Sequence, residues 1–387
     1  MYPNLYYAVK DLFGLDVSFL KVVNSFGFFV ALSFLAAAWL LIKELKRRQA
    51  LGEFTYVEKI IKVGQPATFP ELLINFILGF FLGYKILGVF IVNGALDDPQ
   101  TFIFSRDGSW TAGLLLGGFF AGLKWWEKHK NKTAAPEDRK IRIWPSDRVG
   151  DITILAAAAG FIGAKVFDNL ENWNRFLQDP IGNLLSPSGL TFYGGLIFAI
   201  AAIWYYCRRH KISFIKLADA TAPSLMLAYG IGRMGCQVSG DGDWGIPNSN
   251  PKPFGWIPNW FWSYDFPHNV NKEGVPIPGC TWGDYCTHLS AAVYPTSLYE
   301  IVMALLLFAF LWSIRKKVKV TGRLFAIYLI VNGIERLFIE QIRVNTRYNI
   351  FGFHPTQAEI ISSGLIIGGI LLYIYAPKLW SQKKVLA

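Results

Sequence analysis

The sequence predicts an all-α polytopic membrane protein of about nine transmembrane helices, with the N-terminus outside and the C-terminus in the cytoplasm. Of its 387 residues, 53% are hydrophobic and 16% aromatic while only 17% are charged, too apolar for a soluble chain of this length. The apolar residues fall into about nine continuous runs long enough to cross a bilayer, and they do not alternate as the strands of a membrane barrel do. Basic residues crowd one set of run ends, about 25 Lys and Arg against about 7 at the other, which assigns the crowded side to the cytoplasm. That bias accounts for the net charge of +11 without nucleic acid, because anionic headgroups attract such segments.

Span one, 19–43, follows MYPNLYYAVKDLFGLD, where Asp11 and Asp16 contradict the basic start of a cleaved signal, so the helix is expected to be retained. KELKRR closes it on the inside. Span two, 71–93, and span four, 149–170, share an acidic start, an apolar run and then F-[LI]-G-x-K, which either a duplication or chance explains. Span three, 109–127, leads into the basic stretch Lys128 to Arg148. Span five, 189–207, begins SGLTFYGGLIFAI, where Gly194 and Gly195 let a backbone or a lipid chain approach closely. Tyr193 just before them has the placement of an interfacial anchor.

Span six, 216–234, runs out into GIGRMGCQVSGDGDWG, an arginine, two aspartates and six glycines at the outer face. This opens the longest outer loop, 236–293, in which Cys280 and Cys286 are placed to form a local disulfide, with Cys236 as a competing partner. Span seven, 294–313, begins YPTSLYEI, with Tyr299 and Glu300 just inside a helix N-terminus whose dipole favours an acid. Span eight, 323–341, ends in NGIERLFIEQIRVN, which puts Arg336, Glu340 and Arg343 on one helix face at the outer level of Arg233. Three guanidinium groups at one depth suit a phosphate, and they equally suit ion pairs that tie helices together. Span nine, 356–376, precedes the basic tail KLWSQKK. The five His and four Cys form no cluster at zinc-like spacing, and neither metal nor cofactor is implied.

Four motifs in order, Phe192 to Ile197, Gly232 to Gly235 with Trp244 and Gly245, Tyr294 to Glu300, and Arg336 to Arg343, resemble those of bacterial prolipoprotein diacylglyceryl transferase. The resemblance covers about 19–48 and 148–376, so the chain reads as an N-terminal segment with the first span (1–48), an inserted pair of spans with basic cytoplasmic loops (49–147), and a transferase-like core (148–387). It implies an enzyme of the bacterial plasma (inner) membrane that moves diacylglycerol from phosphatidylglycerol to the lipobox cysteine thiol of prolipoproteins. The implied partners are phosphatidylglycerol, prolipoprotein signal peptides and membrane lipid, with the inserted spans as a docking surface for another protein. Arg233 and Arg336 match the family's site arginines and would bind the headgroup and stabilise the leaving phosphate.

Together with the residues read above, this makes Tyr193, Arg233, Asp241, Arg336 and Glu340 the catalytic candidates. Gly194, Gly195, Gly232, Cys236, Ser239, Gly240, Gly245, Tyr299, Glu300 and Arg343 are the lipid-binding candidates. The chain departs from the family at several positions, with Tyr193 for histidine, Cys236 and Ser239 for asparagine, Asp241 for glutamate, and Phe26 and Asn332 for tyrosine. Either Tyr193 or a carboxylate such as Asp241 or Glu340 then takes the thiol proton, or chemistry is lost and the chain is a silent relative that binds lipid or partner membrane proteins. A transporter fits less well, since no paired broken helices flank a midplane ion site.

The basic bias sets one direct test. A cysteine placed in 128–148 should not react with a membrane-impermeant maleimide added to intact cells, and efficient labelling would reverse the assigned topology.

Overall fold

Where lipid offers no hydrogen bonds, an apolar segment has to satisfy its backbone internally, and a helix does this within one run. The computed structural model describes residues 1–96, 99–133, 137–186, 189, 191–349 and 352–381. In chain order its main elements are α1 (Leu5–Phe13), α2 (Ser25–Ala50), β1 (Val57–Val63), α3 (Phe69–Ile91), α4 (Trp110–Lys130), β2 (Glu137–Ile143) and α5 (Val149–Glu171). There follow α6 (Phe192–Arg209), α7 (Phe214–Ser239), β3 (Val275–Pro276), β4 (Thr287–His288), α8 (Thr296–Ile314), α9 (Arg323–Glu340) and α10 (Gln357–Ser381). Each predicted span overlaps one of α2–α10, the first shifted by several residues toward the C-terminus. Among the described residues, five helices are long and apolar enough to cross a membrane: Ser25–Ala50, Phe69–Ile91, Pro145–Glu171, Thr296–Ile314 and Gln357–Lys378. Helices α7 and α9 carry charged groups in place of some of that apolarity, and most of these are paired inside the protein.

The helices are not the whole fold. Two-stranded ribbons β1–β2 and β3–β4 correct the all-α expectation. VEKIIKV and EDRKIRI each place β-branched residues among charged ones, without a sustained two-residue period, and their charge reads as a basic loop.

Two compact units are formed, Met1–Leu15 with Val23–Leu51 and Tyr206–Ala387, and Asp16–Val22 with Gly52–Tyr205. In the first, α7 is the central helix. A Cβ on Gly235 would press against Phe26 and Phe29 of α2, and one on Gly230 would meet Ala304 of α8 at 3.2 Å, so small residues set both close approaches. Ala222, Met226, Ala304, Leu311 and Leu324 form the buried core. At one end, Asp219 of α7 accepts from the amides of Gly322 (2.6 Å) and Phe325 (2.8 Å) and satisfies the start of α9. Glu44 of α2 accepts from the guanidinium groups of Arg47, Arg48 and Arg315.

The second unit is built twice. The lysine ammonium of Lys85 on α3 donates to the carbonyls of Phe102, Ser105 and Asp107 in the following connection, and Lys165 on α5 donates to that of Asn183 in its own. Ser109 N donates to Tyr84 O at 3.0 Å, and Thr191 N donates to Ala164 O at 3.1 Å. A Cβ on Gly83 would collide with the carbonyl of Ala112, and one on Gly163 with that of Gly194. Residues 83, 84 and 85 thus match 163, 164 and 165, while 109 and 112 match 191 and 194. The ribbon obeys the same relation, because Val57 pairs with Ile143 and Val63 with Glu137, a register symmetric about Ile60 and Lys140. The hairpins β1-α3-α4 and β2-α5-α6 therefore share one plan of contacts, which fits a duplication better than chance likeness between two helices.

The glycine contacts can be tested in both copies. Gly83→Ala and Gly163→Ala should each destabilise the protein by about 1–3 kcal/mol through overpacking, read as a lower thermal midpoint in detergent. Gly122→Ala, where a Cβ meets open space, should leave it unchanged.

Candidate active site

The end of α7 and the loop after it are shaped by glycine. Gly240 takes a left-handed φ of 64° and its amide donates to Cys236 O, closing the helix, while Gly242 at φ 95° turns the chain back. Gly245 then lies against the strand-like backbone at Arg343, where an added Cβ would sit 2.5 Å from the carbonyl of Ile342. The amide of Ile246 donates to Ile342 O at 2.9 Å, and Thr296 Oγ1 donates to Asp243 O at 2.8 Å. The loop is therefore fixed to the start of α8 and the end of α9. Trp244 packs on Phe266, Leu289 and Val293, a small core of the loop itself.

Inside this frame Glu300, with a fully buried side chain, receives three guanidinium groups. Arg233 Nε is 2.8 Å from its Oε2, and Arg336 and Arg343 reach its Oε1 at 3.1 and 3.5 Å. Arg233 and Arg343 also share the carboxylate of Asp243. Arg336 pairs with Glu340 at 2.9 Å, and Asn345 donates to the other oxygen of Glu340 at 2.7 Å. Three cations thus meet three anions. Of the anions only Asp243 is open to solvent, its side chain 30% exposed against 0% for Glu300 and Glu340. Arg343 Nε is buried with no hydrogen bond.

The sequence candidates divide accordingly. Arg233, Glu300, Arg336, Glu340 and Arg343 come together, and Cys236 lies within 3.7 Å of Arg233 as a buried free thiol. Cys280 pairs with Cys286, which leaves Cys236 out of the disulfide. Gly240 and Gly245 shape the loop, whereas a Cβ on Gly232 would meet nothing within 4 Å. Ser239, read as a binding residue, is fully buried and its hydroxyl is spent on Gly235 O at 2.8 Å, so it completes the helix end. Tyr299 likewise donates to Phe261 O at 2.8 Å and anchors the loop. Tyr193, Gly194 and Gly195 belong to the second unit at the start of α6. There Gly194 and Gly195 face the backbone of α5 at Gly163 and Gly160, so the space they leave is taken by a helix and not by a lipid chain.

Three residues escaped the sequence reading. Asp243 is the second aspartate of GDGDWG, and its partner Arg343 lies far along the chain. Tyr229 and Glu335 meet across α7 and α9 at 3.5 Å. Glu335 is off the face that carries Arg336, Glu340 and Arg343, which hid it.

The electrostatics set the roles of the two aspartates. Burial raises the Asp241 carboxyl above its ordinary value and the charge of Asp243 adds to this. Burial also opposes charge on Asp243, but Arg233 and Arg343 outweigh it and hold that carboxyl below its ordinary value. Cys236, Asp241 and Asp243 do offer three ligand atoms within 4.8 Å. Two guanidinium groups already occupy Asp243 and repel a cation, so the arrangement suits an anion.

Residues 109–375 match the family model described as prolipoprotein diacylglyceryl transferase. The chain belongs to this family. Proteins named phosphatidylglycerol–prolipoprotein diacylglyceryl transferase resemble it at 30% identity in Corynebacterium efficiens, over 58% of this chain and 66% of that protein. The one in Leptospira interrogans is 26% identical over 76% of this chain and 94% of its own length, and that of Dehalococcoides mccartyi 29% identical over 59% and 77%. The matched stretch contains every member of the arginine cluster.

Asp243 generates a pH prediction. A carboxyl whose folded value is depressed adds stability above its unfolded value, and that stability is lost as pH falls through the folded value. Asp243→Asn should therefore lower the thermal midpoint at pH 7, and the gap to the native protein should close as pH is taken below the ordinary aspartate range of about 3.9.

Proposed function

We propose that the chain transfers diacylglycerol from phosphatidylglycerol to the lipobox cysteine thiol of prolipoproteins, forming a thioether and releasing glycerol phosphate. The convergence of Arg233, Arg336 and Arg343 on Glu300 carries this reading. The thiol attacks a glyceryl carbon while phosphate departs, so the enzyme has to hold a phosphate whose negative charge grows, and forked guanidinium donors match its oxygens.

The lipid phosphate takes the place of Asp243. That carboxylate bridges Arg233 and Arg343 as a phosphate would, and it is the most exposed of the three anions. Arg343 Nε then gains an acceptor. Glu300 and Glu340 stay in place as the supports that aim the arginines. Tyr193 is assigned to the same reaction on its motif alone.

The setting is the bacterial plasma membrane, crossed about nine times with the N-terminus outside. This supposes that all of α2–α10 span and that the basic ribbon β1–β2 lies in the cytoplasm. The prolipoprotein would present its signal peptide from within the same bilayer, and the α3–α4 pair would be a docking surface.

Expression in cells depleted of their own transferase tests the reading, with lipid gain on a model prolipoprotein and restored growth as expected results. Arg233→Ala and Arg336→Ala should each abolish transfer. Lysine at either position should restore it only in part, because an ammonium cannot make the two-pronged contact. A properly inserted native chain that modifies nothing would favour the silent relative, and normal turnover in Arg336→Ala would reduce the cluster to a helix tie.

A further inference from the structure

We infer that Tyr229 and Glu335 form the proton relay of the transfer, Tyr229 Oη taking the proton of the attacking thiol as its own proton passes to Glu335 Oε1. The inference rests on the transferase reading above. Glu335 is 3% exposed on α9, and its Oε1 lies 3.5 Å from the hydroxyl of Tyr229 on α7. Its other oxygen is buried with no hydrogen bond, and among the described residues the carboxylate makes no ion pair. Glu300 and Glu340, by contrast, are bound to guanidinium groups. An acid left unpaired at membrane depth is costly to keep and points to use rather than support.

Its surroundings fit the task. Arg233 and Tyr229 from α7, Glu300 from α8, and Arg336 and Tyr328 from α9 are the charged and titratable groups that act on it. Tyr229 is partly exposed and sits under Arg233, whose guanidinium carbon is 5.3 Å from the ring centre. Depth decides between this pair and the aspartates. Tyr229 is one turn before Arg233 on α7, away from the loop, while Asp241 and Asp243 lie on the loop side of the arginines. With the phosphate on the arginines, the lipid's acyl chains lead toward the span and its headgroup toward the loop. The glyceryl carbon under attack is then on the Tyr229 side, and the departing glycerol on the Asp241 side.

In the step, the thiol gives its proton to Tyr229 as the Tyr229 proton moves to the Glu335 carboxylate. The sulfur electron pair forms the C–S bond, and the C–O bond breaks with its pair leaving on the phosphate. The proton on Glu335 returns through Tyr229 to the departing glycerol phosphate, which restores both groups. A 3.5 Å separation is normal for contacts that tighten around substrate.

Purified full-length protein, phosphatidylglycerol vesicles and a lipobox peptide provide the assay, with kcat, KM and the pH profile from about 5.5 to 9 as readouts. Glu335→Gln should lower kcat by about 10²–10⁴-fold, the usual worth of a general base, with little change in KM for the lipid, and it should flatten the rise of rate with pH. Glu335→Asp should recover part of the rate, and Tyr229→Phe, which keeps the ring under Arg233, should fall like Gln. A helix tie predicts instead that Gln, still a polar partner for Tyr229, keeps kcat and the shape of the profile. That result, or native turnover in Tyr229→Phe, overturns the relay while leaving the transferase reading intact. A native protein without transfer removes both.

Discussion

Glu300 is the interaction on which the rest of the site depends. One carboxylate with no exposure holds guanidinium groups from α7, from α9 and from the segment beyond it, and all three would otherwise repel one another at close range. Removing one side of such a buried set generally costs about 3–5 kcal/mol, because the charges left behind have no water to turn to. The cluster therefore fixes where α7, α8 and α9 end relative to one another, and the loop from 240 to 295 is hung on those ends. A site for an anion and the support of three helices are the same group of atoms here. Asp243 differs from the other acids in being on a loop and partly open.

The helices were legible in the sequence because a continuous apolar run has few alternatives in lipid, and each run became a helix. Arg233, Arg336, Glu340 and Arg343 were legible because charge at membrane depth is rare and a helical spacing put three of them on one face. Glu300 was read for its place near a helix start, and its true partners were invisible because they arrive from other helices. Asp243 was missed for the same reason. Gly194 and Gly195 were read correctly as a close approach, but a sequence does not say which surface does the approaching, and it is α5. The ribbon β1–β2 was hidden by its own charge, since charged runs such as EDRK read as a basic loop and neither strand alternates cleanly.

The pairing of Tyr229 with Glu335 shows how such a site can change its parts. The four motifs keep the clustered arginines and glutamates, while Tyr193, Phe26 and Asn332 stand where the resemblance implies histidine and tyrosine. A phenol and a carboxyl on facing helices can handle a proton without any of these, provided they lie on the acyl side of the arginines. Charge that binds the leaving group and chemistry that activates the nucleophile are then separable, one anchored by Glu300 and the other by a contact that nothing else in the cluster requires.

The doubled hairpin has a consequence for how such a chain is assembled over time. Each copy satisfies its own membrane lysine with carbonyls of its own connection and seats its own glycines against its own second helix. A segment of this kind enters the bilayer with its polar accounts already closed, so copying it in tandem asks nothing new of its neighbours. Only the strands look outward, and each copy brings the edge that the other needs. Two such hairpins can differ on their exposed faces without altering the contacts that each makes within itself.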